Sequence, residues 1–142
     1  MWSFALVAIT IAIHAFGIVL IGAASKQIRV KLVRPGINDA DSAAMTTVLI
    51  VAVGLSLAVL HSIESIIWAL VYVWLGALPS PADAALYSVD SMTTRGASGL
   101  VLAPEWRMMG AMEAGDGMLL FGISTAFLFY VMLHLWRDEN HV

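Results

Sequence analysis

The residues with chemical potential in this chain are few, and they fall into small groups. His61 and Glu64 stand at i and i+3, a spacing that puts both on one helix face. Such a pair can form a hydrogen-bonded ion pair or supply two metal ligands. A catalytic metal needs further ligands and a base, and none lies at a matching spacing, so a structural pair is the favoured reading over a metal site or a pH sensor. Glu113 and Asp116 repeat the i, i+3 spacing further on. His14 is alone in an apolar run and is expected to bond a neighbouring helix rather than to relay protons. Thr93, Thr94, Arg95, Gly96, Ala97, Ser98 and Gly99 form a polar stretch, with Asp90 shortly before it. No nucleophile sits beside an activating partner, so no enzyme is expected. The chain has no cysteine, which excludes disulfides and thiolate metal sites.

The elements that carry these residues belong to a membrane. Of 142 residues, 61% are hydrophobic and 12% charged, about half the charge of an ordinary soluble domain. A net charge of −3 offers nothing to nucleic acid. Trp2 to Ala24 is uncharged and long enough to span a bilayer, which takes ~20 residues. Its lack of a basic leading segment favours a retained helix over a signal peptide, giving an N-terminal helix over 1–25.

Lys26 to Ser42 carries Lys26, Arg29, Lys31 and Arg34, four of the seven basic residues, around a Pro35-Gly36 break. The positive-inside rule makes this loop cytoplasmic and the N-terminus external. Asn38, Asp39, Asp41 and Ser42 offer caps for a second helix over 43–78. Glu64 would lie ~30 Å along it from Ala43, near the outer interface. Trp68, Tyr72 and Trp74 would then make an aromatic belt. Glu113 and Asp116, on a third helix over 108–136, are expected at the same outer interface, so that His61, Glu64, Glu113 and Asp116 form one polar cluster there. A cytoplasmic tail over 138–142 follows.

Between these helices, Pro79-Ser80-Pro81 ends one element, and Ser80 or Asp83 can cap a short helix over 82–92. Such a helix rises only ~18 Å, too little to cross. The loop over 93–99 would return the chain to the side it came from. Irregular backbone at membrane depth survives only when protein buries it or it lines a water-filled cavity.

Helix, short helix, Thr-Thr-x-Gly loop, helix, with His61-Ser-Ile-Glu64, Trp68-Ala69, ALYS, TTRG, PEWR and LLFGISTAFLF in that order, resembles the small prokaryotic potassium-channel-like pore family over residues 48–136. The resemblance implies an all-α fold of three transmembrane helices with a re-entrant pore helix, assembled as a homotetramer in the inner (plasma) membrane among lipids. It implies passive permeation of monovalent ions; no cofactor and no metal are expected from the residues. Asp90 occupies the position of an acidic residue behind the filter, and Ser124 or Phe127 would line the inner cavity.

The family's filter reads Thr-Thr-Val-Gly-Tyr-Gly-Asp, and backbone carbonyls in it replace the hydration shell of potassium. Here Arg95, Ala97, Ser98 and Gly99 depart from that pattern. The bracing aromatic is lost, and strict potassium selectivity is not expected. Arg95 could turn back to pair with Asp90, face the axis as a ring that admits anions, or accompany a rearranged loop. A cation pathway of altered selectivity is the leading expectation. An anion pore and a non-conducting, channel-like scaffold or partner subunit are the alternatives.

Overall fold

The computed structural model describes residues 2–32, 39–96 and 98–139. Four helices account for nearly all of them: α1 (Trp2–Leu32), α2 (Asp39–Trp74), α3 (Pro81–Met92) and α4 (Arg107–Glu139), with a short 3₁₀ turn at Pro104–Trp106 leading into α4. Three segments, Trp2–Ile28, Ala43–Trp74 and Pro104–Leu135, are long and apolar enough to cross a membrane.

These helices expose apolar side chains all round, as Phe4, Phe16 and Val19 on α1 and Val48, Leu55 and Leu70 on α2 show. A helix apolar on every face is matched to lipid rather than to water. Hydroxyls on the outward faces are satisfied within their own helices: Thr47, Ser56, Ser62 and Thr125 donate to the carbonyls of Ala43, Ala52, Ala58 and Phe121 at 2.8–2.9 Å. Lipid offers them no other acceptor.

α1 continues to Leu32, so Lys26 begins its final turns instead of opening a loop. Arg34 and the Pro35-Gly36 break lie outside the described residues. α2 is already helical at Asp39, which places Asp41 and Ser42 within the helix and not at its cap.

At its other end α2 stops at Trp74, earlier than the Leu78 expected from the prolines, because Gly76 ends it. Gly76 has φ +65°. Its N–H bonds the carbonyl of Val73 at 3.1 Å, and that of Ala77 reaches back to Tyr72 at 2.9 Å. This is the Schellman arrangement, which glycine favours because the left-handed backbone costs it nothing.

α3 starts where its sequence says it should. The Ser80 hydroxyl accepts from the Asp83 N–H at 3.1 Å and donates to the Asp83 carboxylate at 2.7 Å, with Pro81 in the first turn. The helix runs between α2 and α4 and packs on both. Its last residue, Met92, lies against Gly117 of α4, where a Cβ would come within 2.3 Å of the Met92 carbonyl oxygen. Gly117 is ten residues, or ~15 Å, into α4. The chain then comes back, and Ala103 N ends 3.5 Å from Ala77 O, where the excursion began.

α1 packs against both α2 and α4 and is part of the bundle. Two apolar clusters result. Trp68, Tyr72, Ala84, Met92, Met109 and Leu120 form one around α3. Leu49, Val53, Leu57, Val131 and Leu135 form the other toward the far end.

Candidate functional site

The first polar group of the bundle interior joins three helices. His14 of α1 places Nδ1 2.9 Å from Glu64 Oε1 of α2, and His61 Nδ1 lies 3.3 Å from Glu64 Oε2. The opposite nitrogens of both rings converge on the Ser124 hydroxyl of α4, at 3.0 Å from His14 Nε2 and 3.1 Å from His61 Nε2. The His14 and Glu64 side chains are fully buried, and His61 is 12% exposed. Phe121 stacks on the His61 ring at 4.1 Å.

One helical turn along α1 and α2 from His14 and Glu64 stand Thr10 and Trp68. Both donate to Asp116 Oδ2, at 2.6 and 3.2 Å. A further turn along α2, the Tyr72 hydroxyl donates to Glu113 Oε2 at 2.7 Å, and Glu113 Oε1 is bonded to Ser88 of α3. Ser88 also reaches the carbonyl of Ser65 at 2.7 Å. Buried carboxylates are tolerated only with such partners, since desolvating an unpaired ion costs several kcal/mol.

The residues expected as one outer-interface cluster are enclosed by the bundle. Glu64 and Glu113 are 0% exposed and Asp116 2%, because each faces the other helices rather than the rim. Trp68 and Tyr72 are fully buried with them, so of the expected belt only Trp74 is outward, edge to face with Trp2 at 5.4 Å. Residues 64, 68 and 72 fall on one helix face at i, i+4 spacing, and Trp74 falls on another. Ser124 is 7% exposed and committed to the two histidines. Phe127 lies against Gly22 of α1.

The second group is the loop after α3. Asp90, 4% exposed, holds it through both carboxylate oxygens: Arg95 Nε donates to Oδ1 at 2.6 Å and the Ser98 N–H to Oδ2 at 2.9 Å. Arg95 is thus turned back toward α3, its side chain 59% exposed. Ala97 lies outside the described residues. Thr93, Thr94, Gly96 and Gly99 are exposed, and Ser98 is half-buried.

The end of α3 repeats the Schellman geometry seen at Gly76. The Thr94 N–H bonds Ser91 O at 2.9 Å and the Arg95 N–H bonds Asp90 O at 3.0 Å. Here the left-handed position is held by Thr94, at φ +55°. A β-branched residue in that conformation is strained, and the surrounding bonds must hold it there. Ser91 ties the helix to α4 by donating to Gly110 O at 3.0 Å. Beside it, burial first, and then the nearby Glu113 and Asp90 carboxylates, push the Tyr87 phenol above its ordinary pKa.

Sequence reasoning passed over Thr10, Ser65 and Ser88, and gave His14 no partner. The spacing Thr10 to His14, one turn apart on an otherwise apolar helix, was the available sign. No family model, curated protein or solved structure matches the chain. Fold and site together define a helical protein with three helices suited to span a membrane, a polar interior and a clamped polar loop.

Proposed function

We propose that this chain is a pore-forming subunit of a homotetrameric ion channel of potassium-channel-like architecture. It would pass monovalent ions through a filter of altered selectivity. The observation that carries this reading is the excursion from Ala77 to Ala103. A helix too short to span runs ~15 Å alongside α4, ends in a loop with exposed Thr93, Thr94 and Gly96, and returns to its starting level. In the membrane that path makes α3 a re-entrant pore helix, and the loop would ring the axis of four subunits. The helix C-terminus would aim its partial negative charge toward the passage.

Arg95 engaged with Asp90 favours a cation route over an anion-attracting ring, because the guanidinium charge is offset and held back against α3. Thr94 and Gly96 would supply the narrowest carbonyls. Placement in the inner membrane, with the N-terminus outside, rests on the basic residues from Lys26 onward.

Purified protein in planar bilayers under a salt gradient tests the proposal. A reversal potential on the cation side is expected, and Arg95→Val should change it. Repeated silence from well-folded tetramers would instead assign the chain a scaffold role. If reversing both charges, with Asp90→Arg and Arg95→Asp together, restores no more conduction than either change alone, the pair does not set the filter.

A further inference from the structure

The structure assigns a divalent metal site, of zinc-type chemistry, to His14, His61 and Glu64 at the centre of the bundle. Among the described residues these three alone form a group that could hold a metal ion, with one ligand atom from each lying within 4.8 Å of the others. Two imidazoles and a carboxylate form a donor set that zinc and its first-row neighbours accept, and a fourth position remains for water. The His61-x-x-Glu64 spacing supplied two of these ligands; the third comes from α1, fifty residues away from Glu64.

Three observations point to a cation at this place rather than to a hydrogen-bonded cluster alone. His61 Nδ1 and Glu64 Oε2 face each other at 3.3 Å, yet both are buried without a hydrogen-bond partner. Atoms at that separation sit where two ligands of a tetrahedral ion sit, about 3.3 Å apart when each is ~2.0 Å from the metal. Facing each other without a well-directed hydrogen bond, the two atoms make a weaker pairing than a buried interior favours, and a shared cation would satisfy both.

The remaining ring nitrogens provide the second observation. With metal on Nδ1 of each histidine, both Nε2–H groups donate to Ser124 Oγ, whose two lone pairs can accept both. Orienting a ligating imidazole through its other nitrogen is the usual outer-shell device of metal centres.

Charge supplies the third. A divalent ion with one carboxylate and two neutral imidazoles keeps one positive charge, which the bundle must offset. Asp116, held by Thr10 and Trp68 one turn from His14 and Glu64, keeps Oδ1 buried and without a hydrogen-bond partner. Its carboxylate, one turn away, supplies a charge that offsets the ion's excess at the site. The proposal is independent of conduction, since it concerns the face of the bundle where α1 meets α2 and α4.

The test uses the full chain in detergent, stripped with a chelator and titrated with zinc, cobalt or magnesium. Zinc and cobalt should raise the thermal midpoint at one ion per chain, magnesium should not, and cobalt should give the visible absorption of a tetrahedral site. His14→Gln and Glu64→Gln should each abolish that spectrum, whereas Ser124→Ala should weaken binding about 10–100-fold. The cobalt spectrum of the unaltered chain needs no variant to fold. Absence of both the spectrum and the zinc shift overturns the proposal, as does a spectrum that survives in His14→Gln but is lost in His134→Gln.

Discussion

Asp90 serves two groups of different kinds, a guanidinium and a backbone N–H, and this decides what each contributes. The Arg95 side chain is 59% exposed, so water screens the pair and its net stabilisation is small. The Ser98 N–H is the costlier partner to abandon, because it is half-buried and would lose its acceptor. Asp90→Ala is therefore expected to loosen the loop by about 1–3 kcal/mol. Limited trypsin digestion should then cut after Arg95 faster in the variant than in the parent. Thr94 behaves in the opposite sense. A left-handed conformation costs a side-chain-bearing residue about 1–2 kcal/mol, so Thr94→Gly should raise stability by about 1 kcal/mol, visible as a higher thermal midpoint. If the strain at Thr94 shapes the permeation path, the stabilised variant should also conduct differently in bilayers.

At the scale of elements, α3 is held by features that differ in how plainly the chain announces them. Its start was readable: Ser80, Pro81 and Asp83 are a cap, a first-turn proline and an acid in the order a helix N-terminus requires. Ser80→Ala should cost about 1 kcal/mol, measurable by thermal unfolding. The end of α2 was open to the same kind of reading, since Gly76 is the stronger stop, but the prolines beyond it drew the expected boundary outward. Which face of each helix meets which neighbour was not readable. Glu64, Trp68 and Tyr72 have the spacing of a buried stripe, yet on helices that are apolar all round, hydropathy does not distinguish lipid from protein. Only the packing of α1 into the bundle does. Gly117 is a similar case: nothing in its neighbours indicates that the backbone of Met92 rests on it. Gly117→Ala should therefore displace α3 at a cost of about 1–3 kcal/mol. Gly115→Ala, which meets nothing within 4 Å, is the control and should leave the thermal midpoint nearly unchanged.

The whole molecule is three long helices around a polar interior, with α3 inserted at one end. Hydropathy made the membrane class evident, because charge is scarce and apolar runs are long. The interior network was hidden, because its members come from positions as far apart as Thr10 and Asp116. Under the proposed assembly, native mass spectrometry from detergent should give a mass of four chains. A monomer that persists under mild conditions in lipid-containing micelles would oppose it.

The way α1 engages α4 has a consequence for any passage bordered by α4. Ser124 is spent on the histidines, and the exposed Thr125 hydroxyl is spent on its own helix. What α4 offers outward along its middle is apolar, Met118, Leu119, Phe121, Ile123, Phe129 and Tyr130 among them, with Arg107 and His134 exposed nearer its ends. A conduit walled by such side chains dries spontaneously when it narrows, and ions cannot enter a vapour-filled gap. Under the proposed pore, opening would be a wetting transition, set by a small change in bore rather than by the movement of any charged part.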